Sequence, residues 1–372
     1  MNRIVEKGKT LMVDGPASVT VLSGKVEVFG FLIDRVRKIL IREGKRLPFE
    51  AQETATFHLE LGAKADVHEV TGTTIPASWG EAYETTRQFR KKPVVIVVIG
   101  GVDTGKSSFC TYLINRLVRD KCTVAILDED LGQSDIGPPG TVGYSYVANP
   151  VTDLFGLKPE NIAFIGSTSP NKTTDRIVEA SVSLKNEILS ETTTDFVVVN
   201  TDGWVIGEEA VQFKSRLATA LASDVAFCIE NRDLIPSLSA TFGDTLANLR
   251  QERVDSPVEI RERDKESRRS LRELGFAKYL ENARVRVFPL NHITVEGKEN
   301  YALIWRRETD NLLVGFYDVQ KRFLGIGILR STDSNRRALK ILTAVAKKPT
   351  SVAFGKVRLD RNLREYPGKA SD

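Results

Sequence analysis

The sequence predicts an α/β protein, a central doubly wound parallel sheet flanked by an N-terminal and a C-terminal β-rich domain. Three observations lead there. In the middle of the chain, uninterrupted apolar, β-branched runs alternate with helical patterns, as strands buried on both faces do. On either side the runs are short and punctuated by Gly, Pro and Asp, the texture of antiparallel sheets. Finally, 372 residues of which 41% are hydrophobic suffice for two or three cores, at about 150 residues per domain.

The first domain is expected over residues 1–80. Runs at 10–13, 18–21 and 26–29 are separated by turn residues such as Asp14-Gly15-Pro16. A polar stretch, 78–92, ends in Arg87, Arg90, Lys91 and Lys92 and leads to the second domain, 81–288. There the run 94–99 reads as a buried strand, followed by a helix to Arg119, and 123–127, 196–199 and 225–229 read as further buried strands. The third domain, 289–372, carries strand candidates at 301–305, 312–316 and 323–328. Its polar end, 368–372, is expected to fray.

Composition narrows the function classes. Lys and Arg number 53 against 49 Asp and Glu, a formal charge of +4, so a nucleic-acid partner has to be held by local basic patches instead of a globally positive surface. Cys110, Cys122 and Cys228 are scattered without zinc spacing, which excludes a disulfide framework and fits a reducing compartment. There is no secretory leader pattern and no apolar stretch of about 18 residues. The expectation is a cytoplasmic protein.

The chemistry begins at Gly100-Gly101-Val102-Asp103-Thr104-Gly105-Lys106-Ser107. This satisfies G-x-x-x-x-G-K-[ST] and lies between an apolar strand and a helix, where a phosphate-binding loop has to lie. Backbone N–H groups and the helix N-terminus would cradle phosphate, Lys106 would reach the β- and γ-phosphates, and Ser107 would ligate magnesium. The central domain is therefore read as a P-loop NTPase domain using ATP and Mg2+. The strand 123–127 runs into Asp128-Glu129-Asp130-Leu131-Gly132-Gln133. Carboxylates at a strand end beside a P-loop suit a metal and an attacking group, and strand alternation would turn Asp128 and Asp130 the same way. The other reading is that they cap the next segment. A GTPase would carry N-K-x-D after a later strand, whereas this chain has Asn231-Arg232-Asp233.

The run from Gly100 to Ser108, with Asp128-x-Asp130-x-Gly132-Gln133 and Gly137-Pro138-Pro139-Gly140, resembles the Clp1/Grc3 family of polynucleotide 5'-hydroxyl kinases, most closely its archaeal Clp1-like members. Three more segments are similar in order: Thr168-Ser169-Pro170-Asn171 to the family's clasp, Thr201-Asp202-Gly203-Trp204 to its Thr-x-Gly-Trp motif, and Arg263-Asp264-Lys265-Glu266-Ser267-Arg268-Arg269 to its lid. The motifs cover roughly residues 95–280, and the flanking β domains match the family's three-domain plan. The resemblance implies transfer of the ATP γ-phosphoryl group to the 5'-hydroxyl of single-stranded or end-exposed RNA, with DNA as a further acceptor, in RNA processing. It implies that Gly100, Gly101, Val102, Asp103, Thr104, Gly105, Lys106, Ser107 and Ser108 bind the nucleotide, and that Lys106, Asp130, Arg263 and Arg268 are catalytic. Asp130 would be the general base and Asp128, with Ser107, would serve magnesium, two roles that are exchangeable between the aspartates. Asp130, Gln133, Thr168, Ser169, Pro170, Asn171 and Trp204 would bind substrate.

Each segment also has a plainer reading. Periodicity alone makes Trp204 a core tryptophan, where the resemblance makes it a stacking platform. Thr168–Asn171 reads as a loop with Asn171 or Thr173 as helix cap. The charges from Arg261 to Arg272 read as a solvated helix face, with Arg269 and Arg272 as substitutes for the lid pair. Nothing beyond charge marks Arg306, Arg307, Arg336 or Arg337 for RNA contact. His58, His68 and His292 have no metal or triad spacing, and Trp79 and Trp305 read as packing residues. The alternatives to a kinase are an ATP-bound, non-catalytic scaffold of an RNA-processing complex and, behind it, a GTPase.

Overall fold

In a computed structural model of the chain, residues 1–230, 242, 249–297 and 309–366 are described. The strand candidate 301–305 with Trp305, Arg306 and Arg307, the segment Asn231-Arg232-Asp233 and the C-terminal residues 368–372 lie outside them. Compactness divides the chain into two units: Met1–Leu127, Tyr146–Leu157 and Lys185–Arg268 form one, and Asp128–Ser145, Lys158–Leu184 and Arg269–Asp372 the other.

The first unit opens with nine strands, β1 (Asn2–Val5), β2 (Lys9–Asp14), β3 (Ala17–Ser23), β4 (Val26–Val28), β5 (Phe31–Ile33), β6 (Arg37–Ile41), β7 (Arg46–Ala51), β8 (Ala55–Leu61) and β9 (Val67–Thr71). They make two sheets, in the orders β1-β8-β3-β6 and β5-β4-β7-β2-β9, antiparallel throughout. The polar stretch that follows is largely a helix, α1 (Ala77–Arg87). It buries Trp79, Ala82, Tyr83 and Thr86, a helical stripe. Trp79 is completely buried between Phe29, Phe109 and Tyr112, and its indole N–H donates to Asp255 O at 2.9 Å.

Beyond α1 come β10 (Val94–Gly100), α2 (Lys106–Arg119), β11 (Val124–Asp128), β12 (Thr141–Val147), β13 (Asn161–Phe164), α3 (Thr174–Glu191), β14 (Phe196–Asn200), α4 (Glu208–Ala220), β15 (Val225–Glu230) and β16 (Arg250–Asp255). Within the first unit the strands lie in the order β11, β14, β10, β15, β16. β10 is parallel to β14 and β15, and β15 to β16. Every residue of β10, β11, β14 and β15 is buried, which is why these strands read as continuous apolar runs.

The second unit holds the antiparallel pair formed by β12 and β13, where the sequence pattern had indicated only parallel strands. After α5 (Lys265–Tyr279), which starts in the first unit, come β17 (Arg284–Pro289), β18 (Thr294–Val295), β19 (Leu312–Tyr317), β20 (Phe323–Asp333), β21 (Ala338–Thr343) and β22 (Ser351–Arg358). Their order is β17-β21-β20-β19-β22-β18, antiparallel apart from β18 beside β22. Phe164 from β13, Phe276 and Leu280 from the end of α5, and Leu313, Ile326 and Val357 from the sheet share one core. Gly315 makes room for it, since a Cβ there would lie 2.6 Å from the Phe164 ring.

Candidate active site

The loop between β10 and α2 is shaped by its glycines and by one strained residue. Gly105 caps α2 at φ +93°, and a Cβ there would meet Pro257 at 2.9 Å. Asp103 holds φ +56°, a left-handed conformation that costs a non-glycine residue free energy and that Asp tolerates better than most. The Lys106 ammonium donates to Gly101 O at 2.6 Å, and the Thr104 hydroxyl to the same oxygen at 3.0 Å. A cavity of about 910 Å3 opens beside Asp103 and Thr104, bounded by Pro257, Arg263 and Arg268. A second cavity opens on Gly105, Ser107 and Ser108 and is walled by Met12, Phe29, Arg46 and Arg261.

The Asp103 carboxylate gathers the two arginines expected of the lid. Arg263 Nε donates to Oδ1 at 2.8 Å, the Arg263 backbone N–H to Oδ2 at 2.9 Å, and Arg268 Nη2 to Oδ2 at 2.8 Å. Burial pushes the Asp103 carboxyl up, but the hydrogen bonds and charges of Arg268 and Arg263 outweigh it and hold the group below its ordinary value. The link is therefore made above the usual carboxylate range and is lost as pH falls through the depressed value. Asp103 thus seats both guanidinium groups on the phosphate-binding loop.

The Thr-x-Gly-Trp segment follows β14 in the same unit. Thr201 Oγ1 donates to Val98 O at 2.7 Å, tying the strand end to β10. Gly203 lies under the loop, where a Cβ would meet Val102 Cγ2 at 2.7 Å and its backbone N at 3.0 Å. Only glycine fits there. The Trp204 backbone N–H donates to Asp202 Oδ1 at 2.7 Å, while Asp202 Oδ2 receives the fully buried Lys214 ammonium of α4 at 2.6 Å. The Trp204 indole is half-buried, 6.2 Å from the Phe213 ring and inclined 30° to it. It belongs neither to the core nor to open surface.

In the second unit, β11 ends at Asp128, so pleat alternation does not extend to Asp130. The two carboxylates differ accordingly. Asp128 is fully buried, and its Oδ2 accepts from Ser134 Oγ at 3.1 Å, Asp135 N at 2.7 Å and Ile136 N at 3.2 Å. Asp130 is half-buried, and its Oδ1 accepts from the N–H groups of Gly132 at 3.0 Å and Gln133 at 2.9 Å. The Gln133 side chain donates to Gly132 O. A Cβ on Gly132 would lie 3.1 Å from Thr168 O and 3.6 Å from Asp130 Oδ1, so this loop and the clasp segment are packed together.

The clasp segment is a tight turn. Ser167 Oγ donates to Ser169 O, and Thr173 Oγ1 to the carbonyls of Ser169 and Pro170. Thr173 therefore donates to carbonyls of the turn, while its own carbonyl accepts the Ile177 N–H. The Thr168 hydroxyl donates to Glu365 at 2.7 Å. Arg269 and Arg272 stand on the second-unit part of α5: Arg272 Nε donates to Glu365 Oε2 at 2.9 Å, and Arg269 Nη2 to Glu365 O at 3.0 Å.

Several residues had not been singled out in the sequence. Asn200, at the end of β14, donates to Ser107 Oγ at 3.4 Å; a polar residue ending an apolar strand is the signal for it. Lys214 was legible only as a lysine on the apolar stripe of α4, between Ala210 and Leu217. Arg46 and Glu365 carried no signal beyond charge. Among the described residues, no helix is long and apolar enough to cross a membrane, and none of the three cysteines is in a disulfide.

Residues 100–282 match the sequence model of the P-loop domain of the mRNA cleavage and polyadenylation factor Clp1. The chain is 24% identical over 347 residues to the polyribonucleotide 5'-hydroxyl-kinase of Methanocaldococcus jannaschii, covering 79% of this chain and 94% of that one. With its Pyrococcus furiosus counterpart the identity is 25% over 327 residues, 74% of this chain and 90% of that one. Over 254 residues the chain is 27% identical to the Gallus gallus polyribonucleotide 5'-hydroxyl-kinase Clp1, covering 63% of this chain and 59% of that one. In fold, it is similar to Clp1p in a solved Clp1p–Pcf11p complex, with a TM-score of 0.77 at 15% identity over 96% of this chain and 97% of that one.

Proposed function

The chain belongs to the Clp1 family of P-loop proteins, and from that premise we propose that it is a polyribonucleotide 5'-hydroxyl kinase acting in RNA processing. The 5'-hydroxyl oxygen attacks the γ-phosphorus of ATP, the bond to the β–γ bridging oxygen breaks, and ADP leaves. The hydroxyl proton passes to a carboxylate.

The observation that carries this reading is the phosphate-binding loop itself, with Lys106 drawn over Gly101 O and two guanidinium groups seated on Asp103. We assign Lys106 to the β- and γ-phosphates, and Arg263 and Arg268 to the charge that builds on the transferring group. Residues Gly100 to Ser108 hold the triphosphate, and the cavity on Ser107 and Ser108 takes the nucleoside end. Asp130 is assigned as the base, since Asp128 already organises the turn at 134–136 through one of its oxygens. Thr168 and its neighbours Ser169, Pro170 and Asn171, with Gln133, grip the first internucleotide phosphate, and Trp204 stacks on the terminal base.

We assign magnesium to Ser107 and Asp128 on the chemistry of their oxygens. Ser107 and Asp128 supply hard oxygens, and the ion commonly takes one or two protein ligands and completes its shell with phosphates and water. When bound, it neutralises charge on the triphosphate. Cysteines outside any disulfide fit a cytoplasmic setting.

The test is transfer of label from γ-labelled ATP to a 5'-hydroxyl oligoribonucleotide. Label on that acceptor, and none on the same oligonucleotide already carrying a 5'-phosphate, is expected. Folded protein with ATP and magnesium that labels neither would overturn the reading.

A further inference from the structure

The second unit holds a basic groove that the reaction just described does not use in full. A cavity of about 560 Å3 is lined by Thr168, Arg269, Arg272, Lys356, Arg358 and Glu365, among others. Its position follows from a contact between two glycines. Gly166 has φ +76°, and a Cβ on it would lie 2.5 Å from Gly355 Cα. A Cβ on Gly355 would in turn lie 2.7 Å from Gly166 O. Neither position admits a side chain, so β22 lies directly against the segment leading to the clasp, and the Lys356 N–H donates to Gly166 O at 2.6 Å. Lys356 and Arg358 both line the cavity, on the stretch of β22 where its pairing with β19 shifts register.

Four cations therefore line a groove whose lining contains a single acid, Glu365. Its carboxylate sits between a hydroxyl and a guanidinium: Oε1 accepts from Thr168 Oγ1 at 2.7 Å and Oε2 from Arg272 Nε at 2.9 Å. These two donors would serve equally well for the two non-bridging oxygens of a phosphodiester. The short hairpin carrying Glu365 is fixed independently of them. Asp360 Oδ1 accepts the N–H groups of Asn362 and Arg364 at 2.8 and 2.9 Å, and Leu359 bridges to Glu365.

We propose that this groove is the subsite for the phosphodiesters that follow the first nucleotide of the RNA, and that Glu365 occupies it as a phosphate mimic which the RNA backbone displaces. The proposal rests on the kinase reading and extends it from the 5'-terminus to the following two or three nucleotides. The strand direction follows from the packing of the Asp130 loop on Thr168. The terminus lies toward Asp130 and the continuing chain toward Lys356 and Arg358.

The experiment uses the full chain and 5'-hydroxyl oligoribonucleotides of two and ten nucleotides. Affinity is read by fluorescence anisotropy, which does not depend on turnover, and KM by label transfer. Glu365→Gln is expected to tighten decamer binding about three- to tenfold and to lower its KM. Lys356→Ala is expected to weaken decamer binding by a similar factor, more than it weakens dinucleotide binding, and to flatten the slope of log K against log salt by about 0.7. Lys347→Ala, an exposed lysine elsewhere in the same unit, serves as the control. An active enzyme in which Glu365→Gln and Lys356→Ala keep the wild-type decamer affinity and salt slope would overturn the groove while leaving the kinase reading intact. Weaker RNA binding by Glu365→Gln would also overturn it, because Glu365 would then merely hold the clasp in shape. A wild-type chain that binds the decamer with the expected variant effects but transfers no label would count against the kinase reading alone.

Discussion

Of the carboxylates that hold arginines, Asp103 in the first compact unit and Glu365 in the second do so differently. In the first unit Asp103, whose side chain is 6% exposed, takes guanidinium groups from Arg263 and Arg268. It belongs to the phosphate-binding loop and keeps a strained backbone to do so. In the second unit Glu365, 27% exposed, accepts from Arg272 and from the Thr168 hydroxyl and stands on a surface hairpin. Under the proposed kinase reading the Asp103 clamp belongs to the triphosphate-binding loop and sets its arginines for the chemical step. The exposed clamp is separable from its cations at low cost, as a competitor for substrate has to be. Under the proposed reading it is the burial of the carboxylate that separates the two clusters, since Arg263, Arg268 and Arg272 are 23%, 32% and 22% exposed.

The difference predicts which kinetic parameter each cluster controls. Arg268→Ala, and separately Arg263→Ala, should lower kcat by about 10³-fold, the lower end of what a charge-stabilising arginine supplies. Steady-state kinetics would check this, and a change confined to the KM for RNA would erase the distinction between the clusters. Lys214→Ala should destabilise the first unit strongly. It leaves Asp202 buried without its cation, at a cost of about 3–5 kcal/mol, read as a lowered denaturation midpoint.

A pH titration sharpens the comparison through Asp153, also in the first unit. Burial pushes its carboxyl up, but the charges of Lys45 and Arg42 prevail and bring it from 3.8 to about 2. Its contribution, about 2 kcal/mol, is present above pH 4 and is lost as pH falls toward 2. Acid unfolding of Asp153→Asn should therefore show a shallower loss across that window. Trp204→Ala should raise the KM for RNA by the equivalent of about 1–3 kcal/mol of stacking without altering ATP affinity. An unchanged KM would return the indole to a packing role beside Phe213.

Much of this was legible in the sequence for a physical reason. Strands buried on both faces have no polar alternative, so β10, β14 and β15 appear as unbroken runs around the G-x-x-x-x-G-K-S signature. The helix α1 was not legible, because a short stripe of Trp79, Ala82, Tyr83 and Thr86 is diluted by seven other residues of mixed polarity. The pair β12 and β13 was missed because Gly143, Ser145 and Asn161 interrupt its apolar pattern. At the site, the motifs indicated which residues to examine but not their partners. Glu365 lies 197 positions from Thr168, and Asp103 lies 160 from Arg263. No local pattern encodes contacts at such separations.

The account depends most on Asp130 as the group that takes the proton of the attacking hydroxyl. The direct measurement is Asp130→Asn, with ATP affinity followed by calorimetry and transfer to a 5'-hydroxyl oligoribonucleotide followed by label. ATP affinity within twofold of wild type and kcat lowered by about 10²–10⁴ is the expected result. Transfer at the wild-type rate in this variant would contradict it and move the base elsewhere.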